Sequence, residues 1–177
     1  MCQITAIGRG TGCDNGGIVE LYWGDKTSIA AATYDDFTPA TGVLTAFTMT
    51  GGATFKAIDG DIREMMADAN LVPADRTWSN VITGSILGWN AATLKAFDNS
   101  IDCCSAIFIA VFDNGEKWVY GLDYNATATD FLAPLETFKP TKADAKSGKR
   151  SEKRRVDFEF TAITRRSPIQ LTGSIPV

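Results

Sequence analysis

The side chains that most often run acid–base chemistry are missing in part from this chain. It has no histidine, which removes Ser-His-Asp and Cys-His catalysis, imidazole metal ligands and the commonest general base together. Four cysteines remain (Cys2, Cys13, Cys103 and Cys104), none in the two-residue spacing that clamps zinc. They are too few for a secreted disulfide framework and read as buried free thiols. Asp59 and Asp61 bracket a glycine in "IDGDI", a spacing a hard cation can use when further oxygen ligands arrive. The same residues serve equally as a turn and helix cap, which is the preferred reading. Asp35 and Asp36 in "TYDDFT" read as solvated loop carboxylates. "GRGTG" at 8–12 lacks the Gly-Lys-Ser/Thr of a phosphate loop, and lacks the strand, turn and helix order of a dinucleotide site. The expectation is a non-enzyme, with no catalytic residue, no metal site and no cofactor.

Charge is the stronger signal. Residues 1–138 hold seven Lys/Arg against seventeen Asp/Glu, a balance of −10. Residues 139–155 reverse it to +6 through Lys139, Lys142, Lys146, Lys149, Arg150, Lys153, Arg154 and Arg155, opposed by Asp144 and Glu152. If all eight cations met phosphate, the logarithmic salt slope would be roughly −7. The run has no aromatic residue for base stacking, so any nucleic-acid binding would be crude. A second copy of the chain is the better partner, because its acidic body complements the basic segment. The eight cations are therefore the candidate subunit interface.

The elements that must carry these residues are mostly strands. At 177 residues with 45% hydrophobic side chains, the chain is one domain able to bury a core. No stretch reaches the roughly 18 to 20 apolar residues that span a bilayer, and "MCQITAIGRG" does not look like a signal peptide, so no membrane role is expected. After the "CDNGG" turn, Ile18 to Trp23 read as a strand with Val19, Leu21 and Trp23 on one face. Residues 24–42 read mostly as loop. Val43, Thr45, Phe47 and Met49 alternate, then "TGG" turns into "ATFKAID" as a hairpin.

"DGDIREMMADANLVP" reads as a helix of about two turns, capped by Asp61 and Glu64 and stopped by Pro73. "RTWSNVITGSILGW" is a long strand in which Gly84 and Gly88 mark bulges or places where another backbone comes close. "NAATLKAFDNSI" is the best helix, capped by Asn90, with Leu94, Phe97 and Ile101 in step. "CSAIFIAVF" is apolar on both faces, so it is a central strand, covered on one side by that helix. "DNGE" turns it into "KWVYGL". A short strand lies near Phe131, and Val156, Phe158, Phe160 and Ala162 alternate with polar residues in a half-buried strand. The sum is a mainly β chain, an antiparallel β-sandwich or barrel with one flanking α-helix. Residues 139–155 form an extended loop or arm within a single domain, 1–177.

The stretches "CDNGGIVELYW", "NAATLKAFDNSI" running into "CSAIFIAVFDNGEKWVYGL", and "RVDFEFTAITRRSP" together resemble, in order and pattern, the bacteriophage tail tube (major tail) proteins. The likeness spans most of the chain as a pattern of elements, without a specific fingerprint. It implies a subunit closing into homohexameric rings that stack into a tube, with edge strands joining across subunits. DNA would pass through the lumen without sequence-specific binding, and other virion tail components would be further partners. The site would be the virion tail, reached from the host cytoplasm. The resemblance implies long loops or hairpins reaching into neighbours and a commonly acidic lumen, and it carries over no catalytic residue. Alternatives are a head-to-tail connector or other ring protein of the virion, a nucleic-acid-binding accessory protein using residues 139–155, and a Cys- or carboxylate-dependent enzyme.

Overall fold

A computed structural model describes residues 17–30, 36–61, 64–102, 106–125, 131–132, 134–147 and 154–177, with backbone alone over 100–102. The strands run β1 (Ile18–Asp25), β2 (Phe37–Thr38), β3 (Val43–Leu44), β4 (Lys56–Ala57), β5 (Met66–Val72) and β6 (Thr77–Leu87). After helix α1 (Ala91–Asp102) come β7 (Ala106–Phe112), β8 (Lys117–Tyr120), β9 (Asp123–Tyr124), β10 (Phe131–Leu132), β11 (Glu136–Lys146), β12 (Arg155–Thr164) and β13 (Ile169–Leu171). The chain is mainly β, a sandwich with one helix, as expected. A seven-stranded sheet in the order β2-β3-β13-β8-β7-β1-β4 packs on a four-stranded sheet in the order β11-β12-β6-β5, and β9 pairs with β10 apart from both. The pairing is antiparallel except between β3 and β13, which run parallel.

Strand β7 explains the layering. Residues 106–110 are all buried, and alternate side chains feed two cores. Phe108 packs with Phe138, Phe160 and Leu21 between the sheets, whereas Ile107 and Ile109 join Leu44, Phe55, Val119 and Ile169 on the opposite face. Both faces are dry, which is why the run shows no alternation. The cover differs from the expected helix: one face meets the four-stranded sheet, and the other shares a core with Phe37, Phe47, Phe55, Leu122, Tyr124 and Phe131. Helix α1 flanks the sandwich, with the Phe97 ring 5.8 Å from Phe158 and 6.2 Å from Phe160. Its start is as expected, with the Thr93 N–H donating to Asn90 Oδ1 at 3.0 Å. The turn after β7 also forms, the Glu116 N–H donating to Asn114 Oδ1 at 2.9 Å and Gly115 taking φ 82°.

Three local expectations fail for non-local reasons. Residues 66–72 are strand β5, not helix; Asp61 and Glu64 make a single turn through their backbones, and the edge of the long β6 captures the chain from Met66 onward. The favourable helix propensities of Met and Ala amount to tenths of a kcal/mol, less than a full strand pairing contributes. Residues 43–57 form no hairpin: β3 pairs with β2 and β13, and β4 pairs with β1. In β1 the register shifts between Ile18 and Glu20, so Val19 is turned outward while Ile18 and Leu21 both enter the core between the sheets. Gly84 is a close approach, of a ring rather than a backbone. A Cβ there would meet Phe158 Cζ at 2.6 Å.

Candidate subunit interface

The basic segment is a strand for half its length. Where an extended arm was expected over 139–155, β11 pairs with β12 from Glu136↔Ile163 to Lys146↔Arg155. Phe138, 1% exposed, anchors the start of β11 in the core. The alternating β12, with Val156, Phe158, Phe160 and Ala162 all buried as read from the sequence, supplies the template that lysines and aspartates would not choose alone. Lys149, Arg150 and Lys153 lie outside the described residues, as do Cys2, Cys13, Cys103, Cys104, Asp35 and the 8–12 "GRGTG" stretch.

The five described cations are mostly occupied within their own subunit. Lys146 Nζ bonds Asp157 Oδ2, and Arg155 Nε meets Asp157 Oδ1 at 3.2 Å. Arg155 Nη1 also reaches Glu64 at 3.6 Å, and Lys142 lies 3.7 Å from Asp144, an exposed pair of little energetic weight. The Arg154 guanidinium sits 5.7 Å from the centroid of the Trp89 ring. Trp89 Nε1 in turn donates to the Lys146 carbonyl at 3.1 Å, and the Gly88 N–H donates to the Arg154 carbonyl at 2.7 Å. Residues 88–89, just past β6, thus clamp both strands at the loop end of the β11–β12 hairpin. Lys139 makes no ion pair among the described residues and remains free for a partner. Sequence reasoning missed this clamp; the adjacent "GW" after the strand was its only local trace.

Asp157 is the hub of the network. The Lys146 ammonium bonded to it holds its carboxyl below the ordinary carboxylate range, aided by the Ser85 hydroxyl, which donates at 3.1 Å, and by Arg155, while partial burial opposes them. A lowered folded-state pKa adds stability that is present above the unfolded value, about 3.9, and is lost as pH falls through the folded value. Acidification below about pH 4 should therefore loosen the loop end of the hairpin in the wild type. In Asp157→Asn that acid-dependent component should vanish, as read from hydrogen exchange of the β11 amides across pH.

The four-stranded sheet presents two open edges of unlike chemistry. Edge β11 carries Lys139, Lys142 and Lys146, includes Pro140, and has register shifts on both sides of Lys139–Pro140. Edge β5 has no proline and no cation; its one charge is Asp68. The register places Met66, Asp68 and Asn70 with Ser79, Val81, Thr83 and Ser85, and with Asp157, Glu159 and Thr161, on the outward face of this sheet. With β11 included, that face holds five carboxylates (Glu136, Asp144, Asp157, Glu159, Asp68) and four cations (Lys139, Lys142, Lys146, Arg155), so it is close to neutral.

The remaining chemistry-bearing residues stay apart. Asp61 donates its N–H to the Ser85 carbonyl at 2.7 Å and accepts from the Glu64 N–H at 2.9 Å, the turn role anticipated for it. Among the described residues no three His, Cys, Asp or Glu side chains cluster as a metal site, and no helix is long and apolar enough to cross a membrane. A cleft of about 220 Å³ lies between α1 and the sandwich, its lining including Trp23, Ile58, Asp59, Phe97, Phe158 and Phe160. The chain matches no family model, no curated protein and no solved structure.

Proposed function

We propose that the chain is a structural subunit of a phage tail tube, closing into six-membered rings that stack around a DNA channel. The observation that carries this reading is the four-stranded sheet left open at both sides, with a basic edge β11 and a weakly acidic edge β5. A ring is a head-to-tail assembly in which each copy uses two different patches, and unlike edges suit that geometry. The outward polar face of the sheet would then line the channel. Its near balance of charge would neither hold DNA nor repel it strongly, a milder surface than the acidic lumen the resemblance implies. The role needs no catalytic group and no cofactor.

The basic hairpin enters this reading differently from the arm expected from sequence. Lys146, Arg154 and Arg155 hold the hairpin together, and Lys139 is left to face a neighbour. Reversing Lys146 or Arg155 would therefore confuse folding with assembly, whereas Lys139→Glu addresses assembly alone. Electron microscopy of the concentrated full chain should show closed six-fold rings or tubes, sparser in Lys139→Glu. Particles that never exceed a few copies at any concentration would overturn the proposal. A duplex DNA titration at two salt concentrations separates the accessory-protein reading, which requires tight, steeply salt-dependent binding.

A further inference from the structure

Edge strands are normally blunted against pairing with other chains, by shortness, proline, lysine or bulges. Among the described strands, every sheet edge but one follows that rule. β2, β4, β9 and β10 are two residues long, and β11 has Pro140, three lysines and two register shifts. Apart from the single carboxylate Asp68, β5 has none of these devices over its seven residues Met66–Val72, and no described strand pairs with its free side. Two large apolar side chains on it stand in solvent, Met66 at 55% and Leu71 at 53% exposure.

We propose that β5 is a homodimer seam, two copies pairing antiparallel about a two-fold axis through Ala69. With Ala69 opposite its own copy, Met66 faces the partner's Val72, Ala67 faces the partner's Leu71, and Asp68 faces the partner's Asn70. Each cross-strand pair is then apolar with apolar, except one carboxylate facing an amide that can donate to it. The neighbouring registers lack this match. A slip of two residues one way sets Asp68 against its own copy, like charge on like charge; two the other way sets Asp68 against Val72 and leaves Met66 beyond the end of the partner strand. Slips that move the pairing by one mix the outward face of Asp68 and Asn70 with the core face of Ala67 and Ala69. The Tyr120 hydroxyl donates to the Ala67 carbonyl at 3.2 Å, which ties β5 to the larger sheet and leaves that carbonyl a second lone pair.

The result is an eight-stranded sheet with β5 at its centre. The seam itself does not depend on the ring reading. Where that reading holds, the dimer covers one of the two edges a ring requires, so it keeps the free chain from polymerising until the seam opens.

Asn70 is exposed and tests the register without disturbing the core. Sedimentation equilibrium of the full chain should show a reversible monomer–dimer equilibrium. Asn70→Lys sets a cation opposite Asp68 twice per seam and should tighten the dimer roughly 2- to 30-fold, and Asn70→Asp should weaken it by a similar factor. The reverse order, Asn70→Asp tighter and Asn70→Lys looser, would mean that β5 pairs with the basic β11 instead, and would overturn the seam. A monomer at every concentration would overturn it too. Rings without any dimer sink the seam and keep the ring reading; dimers that never yield rings do the converse.

Discussion

Replacing Asp123 with alanine is expected to lower folding stability by about 2–4 kcal/mol, among the largest effects of any single change in this chain. Asp123 is fully buried at the start of β9. Its Oδ2 accepts from both the backbone N–H and the Nη1 of Arg165, each at 2.9 Å, and its Oδ1 accepts from the Tyr124 N–H at 3.0 Å. One side chain therefore ties the corner between β12 and β13 to β9. The Arg165 side chain is 47% exposed, so water screens much of its Coulombic share. The larger loss is the two backbone donors left without their acceptor. Urea unfolding should show a lower midpoint with an unchanged slope, and Asp123→Asn, which keeps an acceptor oxygen, should fall between the two. A shift below about 1 kcal/mol would mean that water replaces the carboxylate without penalty.

Phe108→Ala should cost about 3–5 kcal/mol. Its side chain is fully buried at the centre of the contact between the sheets, with the Phe138 ring 4.8 Å away edge-on and the Phe160 ring at 5.2 Å. Those rings belong to β11 and β12, the hairpin whose outer edge is the candidate interface, so the cavity would open beneath the interface itself. Thermal unfolding gives the magnitude, and slower sheet-edge assembly should accompany it. Phe108→Leu, which retains most of the volume, should recover more than half of the loss. Equal losses in the two variants would show that ring geometry, and not filled volume, holds the sheets together.

Elements whose signals are complete within a dozen residues are legible in the amino-acid sequence alone. Asn90 and the spacing of Leu94 and Phe97 specify α1, "DNGE" specifies the turn into β8, and alternation in "VDFEF" specifies both the strand and the buried face of β12. The candidate interface is legible there only as charge. Lys146, Arg154 and Arg155 stand out by type, yet whether each is free depends on Asp157, Trp89 and Glu64, which come from three separate parts of the chain. The open edge β5 is hidden altogether, because "DGDIREMM" carries the capping residues and helix formers of a helix that β6 outcompetes.

The sequence by itself determined a mainly β chain with one helix, the absence of histidine chemistry, and an acidic body with one basic segment. Those follow from composition and from spacings that a residue satisfies with its near neighbours. Only the tertiary structure decided which strands became edges, which cations were spent inside the subunit, and which face of the smaller sheet was left polar and open. Strand pairing is chosen among partners tens of residues apart, and its hydrogen bonds are the same for every side chain, so the choice is made by how the two cores close.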